Sequence, residues 1–218
     1  MPHLSGAIVP SSRYRIPAGS HRTRLDASRS RFIATIAPAP SVPAAHAVIA
    51  DVRAEFPDAT HHCWAFVVGP PGTTTHIGLS DDGEPHGTAG RPILTALLHS
   101  GVGDVVAVVT RYYGGTKLGT GGLARAYGGA VADALAALPT AERVTWARVH
   151  VVVDYATVTV VQQLVATHGG RVAGETFAAD VRFALDLPEA AVAAFADALR
   201  DATRARARVY SEPDAGSP

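Results

Sequence analysis

Three carboxylates, Asp81, Asp82 and Glu84, crowd into the run SDDGEPHGTAGRP of residues 80–92. Hard cations seek several oxygens at once, so such a cluster could hold a divalent ion. The spacing does not follow the calcium-loop pattern, however, and Pro85 among Gly83, Gly87 and Gly90 describes a rigid turn feeding a helix. In that setting carboxylates accept hydrogen bonds from backbone N–H groups at the helix N-terminus, or pair with Arg91, Arg111 or Arg125. Capping and ion pairing are therefore expected, with no metal.

A second chemical run follows at residues 111–127, RYYGGTKLGTGGLARAY. Gly114, Gly115, Gly119, Gly121 and Gly122 between a strand and a helix could turn backbone N–H groups toward an anion, with Lys117, Arg111 and Arg125 adding charge. The spacing is neither the P-loop pattern nor the dinucleotide fingerprint. The same glycines could equally form a tight turn where backbones pack closely. Tyr112, Tyr113 and Tyr127 could stack on bases if exposed. Tyr112 and Tyr113 leave a strand on opposite faces, so one of them is expected in the core. With Thr88 and Thr120, the named residues of both runs make up one candidate binding surface of two converging loops.

Other chemistry finds less support. His61, His62 and Cys63 are adjacent, and side chains alternate across an extended segment, so the three do not converge on one ion. One of the histidines could face the glycine loops, while Cys63 opens an apolar strand. No nucleophile elbow and no zinc-helix motif occurs. No catalytic residue is assigned and no cofactor is expected. Arg22, Arg24, Arg29 and Arg31 recur in two alternating pairs over the N-terminal stretch, which could give either a basic stripe for phosphates or a solvated face.

The elements that must position these residues follow from periodicity. Strands are expected at 14–16, 29–37, 63–68, 76–79 and 105–110, the last a continuous apolar run typical of a central strand. Helices are expected at 43–56, capped by Ser41 with Pro43 in the first turn, at 92–99, and at 123–138 ahead of Pro139. This alternation indicates an α/β domain over residues 13–139. Beyond it, strands at 147–154, 171–176, 178–187 and 205–211 alternate with helices at 157–168 and 188–202. That βαββαβ order is ferredoxin-like and defines a second, α+β domain over 144–211.

The chain has 218 residues, 47% hydrophobic and 17% charged, with zero net charge. It reads as a globular protein without bulk attraction to nucleic acid or anionic membranes, so any such contact must use a local patch. Cys63 is its single cysteine, which excludes an internal disulfide and fits a reducing, cytoplasmic setting. Residues 1–12 read as a frayed or alternative start without a signal-peptide core, and no apolar run is long enough for a membrane span.

Residues 30–38 (SRFIATIAP), 58–66 (DATHHCWAF), 80–92 and 111–127 together resemble the YigZ/Impact family, in its bacterial two-domain YigZ branch. The resemblance covers residues 14–210. It implies an N-terminal domain with the fold of the second domain of the fifth small-subunit ribosomal protein. It also implies a C-terminal domain similar to the last domain of elongation factor G. Eukaryotic Impact regulates translation through a partner of a stress-activated kinase. For a bacterial relative the resemblance implies a looser link to RNA, the ribosome or a translation-linked protein partner. The family pattern accepts an apolar residue at the position of Lys117 and small residues at that of His86. Three functions stay open: a non-enzymatic translation-associated binding protein, an enzyme acting on a small phosphorylated or carboxylated metabolite, and a protein-binding module.

Overall fold

The computed structural model describes residues 13–211, and the proposed frayed start at 1–12 lies outside them. These described residues contain eleven strands and five α-helices, divided between two compact units, Tyr14–Arg143 and a second beginning at Val144.

In the first unit, β2 (His21–Ala27), β3 (Ser30–Pro38), β4 (His61–Val67), β5 (Ile77–Ser80) and β6 (Val105–Tyr112) form one sheet in the order β2-β3-β6-β4-β5. Every ladder in it is antiparallel, although helices cover both faces. The central strand β6 is apolar from Val105 to Val109 because both faces are buried there. Val105, Ala107 and Val109 pack beneath α2 (Gly90–His99) and α3 (Gly119–Ala136) with Ile93, Leu97, Tyr127 and Val131. Val106 and Val108 turn the other way, against Ile49 and Val52 of α1 (Val42–Glu55). Arg111 continues the first series, so the strand that builds the core also aims a guanidinium at the α2–α3 side.

Helix α1 begins as expected: Ser41 Oγ accepts a hydrogen bond from Ala44 N at 3.2 Å, and proline occupies the first turn. Two strands were not legible in the sequence. β2 occupies the stretch between the strands expected at 14–16 and 29–37, and β7 (Thr140–Val144) pairs with β1 (Arg13–Pro17) in a separate ribbon. The chain turns between β2 and β3 at Ser28 and Arg29, which have φ of 46° and 65°. This hairpin folds the segment back on itself and sets Arg31 opposite Asp26, on the face of Arg22 and Arg24, but none of these three is left as an open phosphate contact. Arg22 instead pairs with Glu55 at 2.5 Å, Arg24 with Asp26 at 3.0 Å, and Arg31 lies over the Tyr112 ring.

The second unit contains β8 (Trp146–Val153), α4 (Val158–Thr167), β9 (Arg171–Phe177), β10 (Val181–Pro188), α5 (Val192–Thr203) and β11 (Arg208–Ser211). Its sheet runs β11-β8-β10-β9, antiparallel throughout, and has the βαββαβ order read from the sequence. Val151, Phe183 and Leu185 on one face pack with Val161 of α4 and Phe195 and Leu199 of α5. Among the described residues, no helix of this unit lies on the opposite face.

Candidate functional site

All three carboxylates of the acidic run are bound within the protein. Asp81 stands before α2 and accepts hydrogen bonds from the backbone N–H groups of Gly87, Ala89 and Gly90 at 2.7, 3.0 and 2.8 Å. It thus does the work of a cap for a helix whose own N-cap residue is Ala89. Burial raises its carboxyl, but those three amides outweigh burial and hold it below the ordinary value. Asp82, at φ 42°, accepts from His62 N at 2.6 Å and from Arg53 Nη2 at 2.6 Å.

Glu84 is the deepest of the three. Its Oε1 receives Arg111 Nη1 at 2.5 Å and the Tyr127 hydroxyl at 2.8 Å, and only 4% of its side chain is exposed. Arg111 Nη2 donates to Ser30 Oγ at 3.1 Å, so the guanidinium ties the acidic loop to β3. Tyr127 in turn accepts from the Cys63 thiol at 3.3 Å, and the same thiol lies 2.9 Å from Asp81 O. Burial pushes the Cys63 thiol up to about 12 and the Tyr127 phenol upward as well, which keeps both groups protonated donors. This network is a floor, with its charges matched and turned inward. Tyr127 is fully buried in it, so stacking on a base is not its role.

Above the floor lies a cleft of about 500 Å³, walled by Glu84 and Pro85 of the acidic run and by Tyr113, Lys117, Leu118, Gly119, Thr120 and Leu123 of the glycine-rich run. Thr60 and His61 close it from β4. His61 Nδ1 donates to Asp82 O at 2.7 Å, since a carbonyl can only accept, and its Nε2 is 3.9 Å from Glu84 Oε1. His62 points away, with Nε2 3.0 Å from Phe56 O. The alternation expected for this segment separates the two rings.

Helix α3 begins at Gly119, four residues before the apolar periodicity starts at Leu123, so Gly119, Gly121 and Gly122 are its first turn and not a loop. Its N-cap, Leu118, supplies no side-chain hydrogen bond, and no acidic residue occupies the first turn. The contrast with α2 is direct: one helix N-terminus is closed by Asp81, and the other opens into the cleft beside Lys117. The glycines divide by purpose. A Cβ on Gly114 would meet Arg29 O at 1.8 Å, so the backbone passes too close to β3 for any side chain. Gly119 has φ +70°, whereas a Cβ on Gly121 would meet only Arg125 Nη1, at 3.7 Å. The fold does not require Gly121.

Several candidate residues lie elsewhere. Tyr112 turns to the other sheet face, where its hydroxyl donates to Asp58 at 2.9 Å. Tyr113 is 46% exposed, so neither tyrosine is in the core, contrary to expectation. Arg125 lines a separate shallow depression with Leu118 and Gly122, and Arg91 is exposed on α2 outside the cleft. Gly83, Gly87, Thr88 and Gly90 shape the acidic turn, and Gly115 is exposed beyond β6. Thr60, Leu118 and Leu123 were not singled out in the sequence, and Pro85 was read only as part of a rigid turn. The glycines nearby were the available signal for Leu118, while Thr60 reaches the cleft only through β4–β6 pairing. Among the described residues no group of three or more His, Cys, Asp or Glu side chains is arranged to hold a metal.

Residues 28–135 match the Impact N-terminal domain, and residues 151–206 match a domain of unknown function, DUF1949. The IMPACT family member YigZ of Escherichia coli is 43% identical over 189 residues, 87% of this chain and 93% of that protein. The chain belongs to the Impact family. An IMPACT family member of Haemophilus influenzae is 37% identical over 195 residues, 89% of this chain and 95% of its own length. A solved crystal structure of a hypothetical protein, 40% identical, superposes with a TM-score of 0.65 over 93% of this chain and 98% of that one. The cleft and its floor fall wholly within the Impact N-terminal match, and the helix-free sheet face belongs to the second unit.

Proposed function

We propose that this chain is a non-enzymatic, translation-associated protein that binds phosphates of RNA or of the ribosome at the α2–α3 cleft. The observation that carries this reading is the open N-terminus of α3. Its first-turn amides have no side-chain cap, they border a cleft beside Lys117, and Gly121 leaves them bare for no reason of packing. Arg111 Nε, buried in the cleft wall, has no hydrogen-bond partner among the described residues. The exposed ring of Tyr113 adds a surface for stacking. The internal pairing of Asp81, Asp82 and Glu84 speaks against a catalytic base or metal ligand there. The ribosomal-protein and elongation-factor folds that the family resemblance implies for the two domains would add a translation context, as an analogy of fold.

Ribosome co-sedimentation and anisotropy with labelled RNA, each at about 50 and about 200 mM salt, test the reading. Binding should weaken steeply with salt, and Lys117→Ala should lower affinity for all sequences alike. Binding that is absent, or indifferent to salt, would sink it. A second reading has one observation in its favour: about 500 Å³ with apolar walls from Pro85, Leu118 and Leu123 suits a small anionic metabolite. A small phosphorylated compound copurifying in the cleft and displaced by Lys117→Ala would decide for it.

A further inference from the structure

The helix-free face of the second unit's sheet carries an ordered pattern of rings and arginines. Strand register places Val149, Val151 and Val153 toward the helices, and therefore Trp146, Arg148, His150 and Val152 on the opposite face. One cross-strand row runs Tyr210, His150, Ala184, Gly174. The Tyr210 and His150 rings are stacked at 5.6 Å with 13° between planes, and the small residues beside them leave a flat floor. The next row holds Arg208 and Arg182 on either side of Val152. In the other direction lie Arg148 and Arg171, both paired with Asp186, and then Trp146 with the Arg171 guanidinium 5.0 Å from its ring centre. Trp146 and Tyr210 are 42% and 43% exposed.

Rings at solvent-facing positions of a sheet gain nothing from the core. Single exposed rings are ordinary on a protein surface; here Trp146 and Tyr210 share one sheet face with several arginines, and that combination is what suits a ligand. On the strands themselves Arg148, Arg171, Arg182 and Arg208 outnumber Asp186, while Asp154 and Asp180 flank Arg208 at one end of the sheet, so the positive charge of the face centres on Arg148, Arg171 and Arg182. Trp146 and His150, four residues apart on β8, are separated by about 13 Å at the usual strand rise. Unstacked bases can lie on such rings while arginines follow the backbone between them. A duplex, whose bases are already stacked and paired, cannot use the rings.

We propose that this sheet face is a platform for single-stranded nucleic acid, with bases stacking on Tyr210 and Trp146 and phosphates meeting Arg182 and Arg208. It is a second surface, on different residues from the cleft, and it stands or falls independently of it.

The test is fluorescence anisotropy of the full chain with a labelled single-stranded oligouridylate and, separately, an RNA duplex of equal length. Tyr210→Ala and Trp146→Ala should each weaken oligouridylate binding by about five- to a hundred-fold and leave duplex binding unchanged. Arg182→Ala and Arg208→Ala should each make the salt slope shallower by about 0.7. In a Trp64→Phe background, where Trp146 is the remaining tryptophan, oligouridylate should quench the fluorescence, and Lys117→Ala should not alter that quench. In a Lys117→Ala background, where the cleft is disabled, oligouridylate binding that survives both ring substitutions in folded protein overturns the platform. So does quenching of equal strength by the duplex, or loss of the quench in Lys117→Ala. Loss of ribosome binding in Lys117→Ala with the quench intact would support both surfaces, each on its own residues.

Discussion

At the scale of single residues, Glu84 and Arg111 are worth most as a pair. Both are nearly excluded from solvent, and each satisfies the other. Removing one strands a buried charge, which costs far more than the pair contributes over an apolar substitute. Glu84→Ala is expected to lower unfolding free energy by about 3–5 kcal/mol, read from urea denaturation. Tyr127→Phe removes only the hydroxyl that donates to Glu84 and accepts from Cys63, and should cost about 1.5–3 kcal/mol. Cys63, raised to about 12 by burial, should be inert to a thiol reagent at about pH 8 until the protein unfolds. Acid should act in two steps. His62 is held below its ordinary 6.5, chiefly by burial, so its contribution is complete above that value and erodes as pH falls. Asp81 is also depressed, its three amides outweighing burial, and its contribution is lost at lower pH, below its unfolded 3.8 and through the folded value. The urea midpoint should therefore decline first from about pH 6.5 and again below about pH 4, with His62→Gln flattening the first decline and Asp81→Asn the second.

At the scale of elements, β6 and its neighbours were legible because burial on both faces writes an uninterrupted apolar run. β2 was not legible: its outward positions are Arg22, Arg24 and Asp26, and what steadies Arg22 is Glu55, on a different element. β7 is exposed along most of its length, so no apolar alternation marks it. The acidic and glycine runs announced a site, yet only tertiary structure separates the inward carboxylates from the outward rim. Within α3, Gly114 ahead of it and Gly121 inside it look alike as letters and differ in consequence. Gly114→Ala should destabilise by about 1–3 kcal/mol or more, because Arg29 O blocks the Cβ. Gly121→Ala should raise stability by about 0.5–1 kcal/mol, as alanine does in a helix, while weakening RNA binding. Thermal unfolding and anisotropy on the same two variants separate the two effects.

At the scale of the whole molecule, each unit has its own core and its own tryptophan, Trp64 in the first and Trp146 in the second. Leu185 is fully buried in the second core, and Leu185→Ala should cost about 2–5 kcal/mol there. Trp146 fluorescence should report the loss, and an equal drop at Trp64 would mean that the two cores unfold as one.

The contact between Arg111 and Ser30 joins residues 81 apart in sequence. The β2–β3 hairpin can form from its own short turn, whereas β3 meets β6 only after α1, β4, β5 and α2 have been drawn in between. Long-range pairings of this kind are the slow events of folding. The floor beneath the cleft is thus completed only when this long-range closure is made. In a refolding experiment, competence to bind at the cleft should appear with the last kinetic phase of the first unit, after most of its helix has returned.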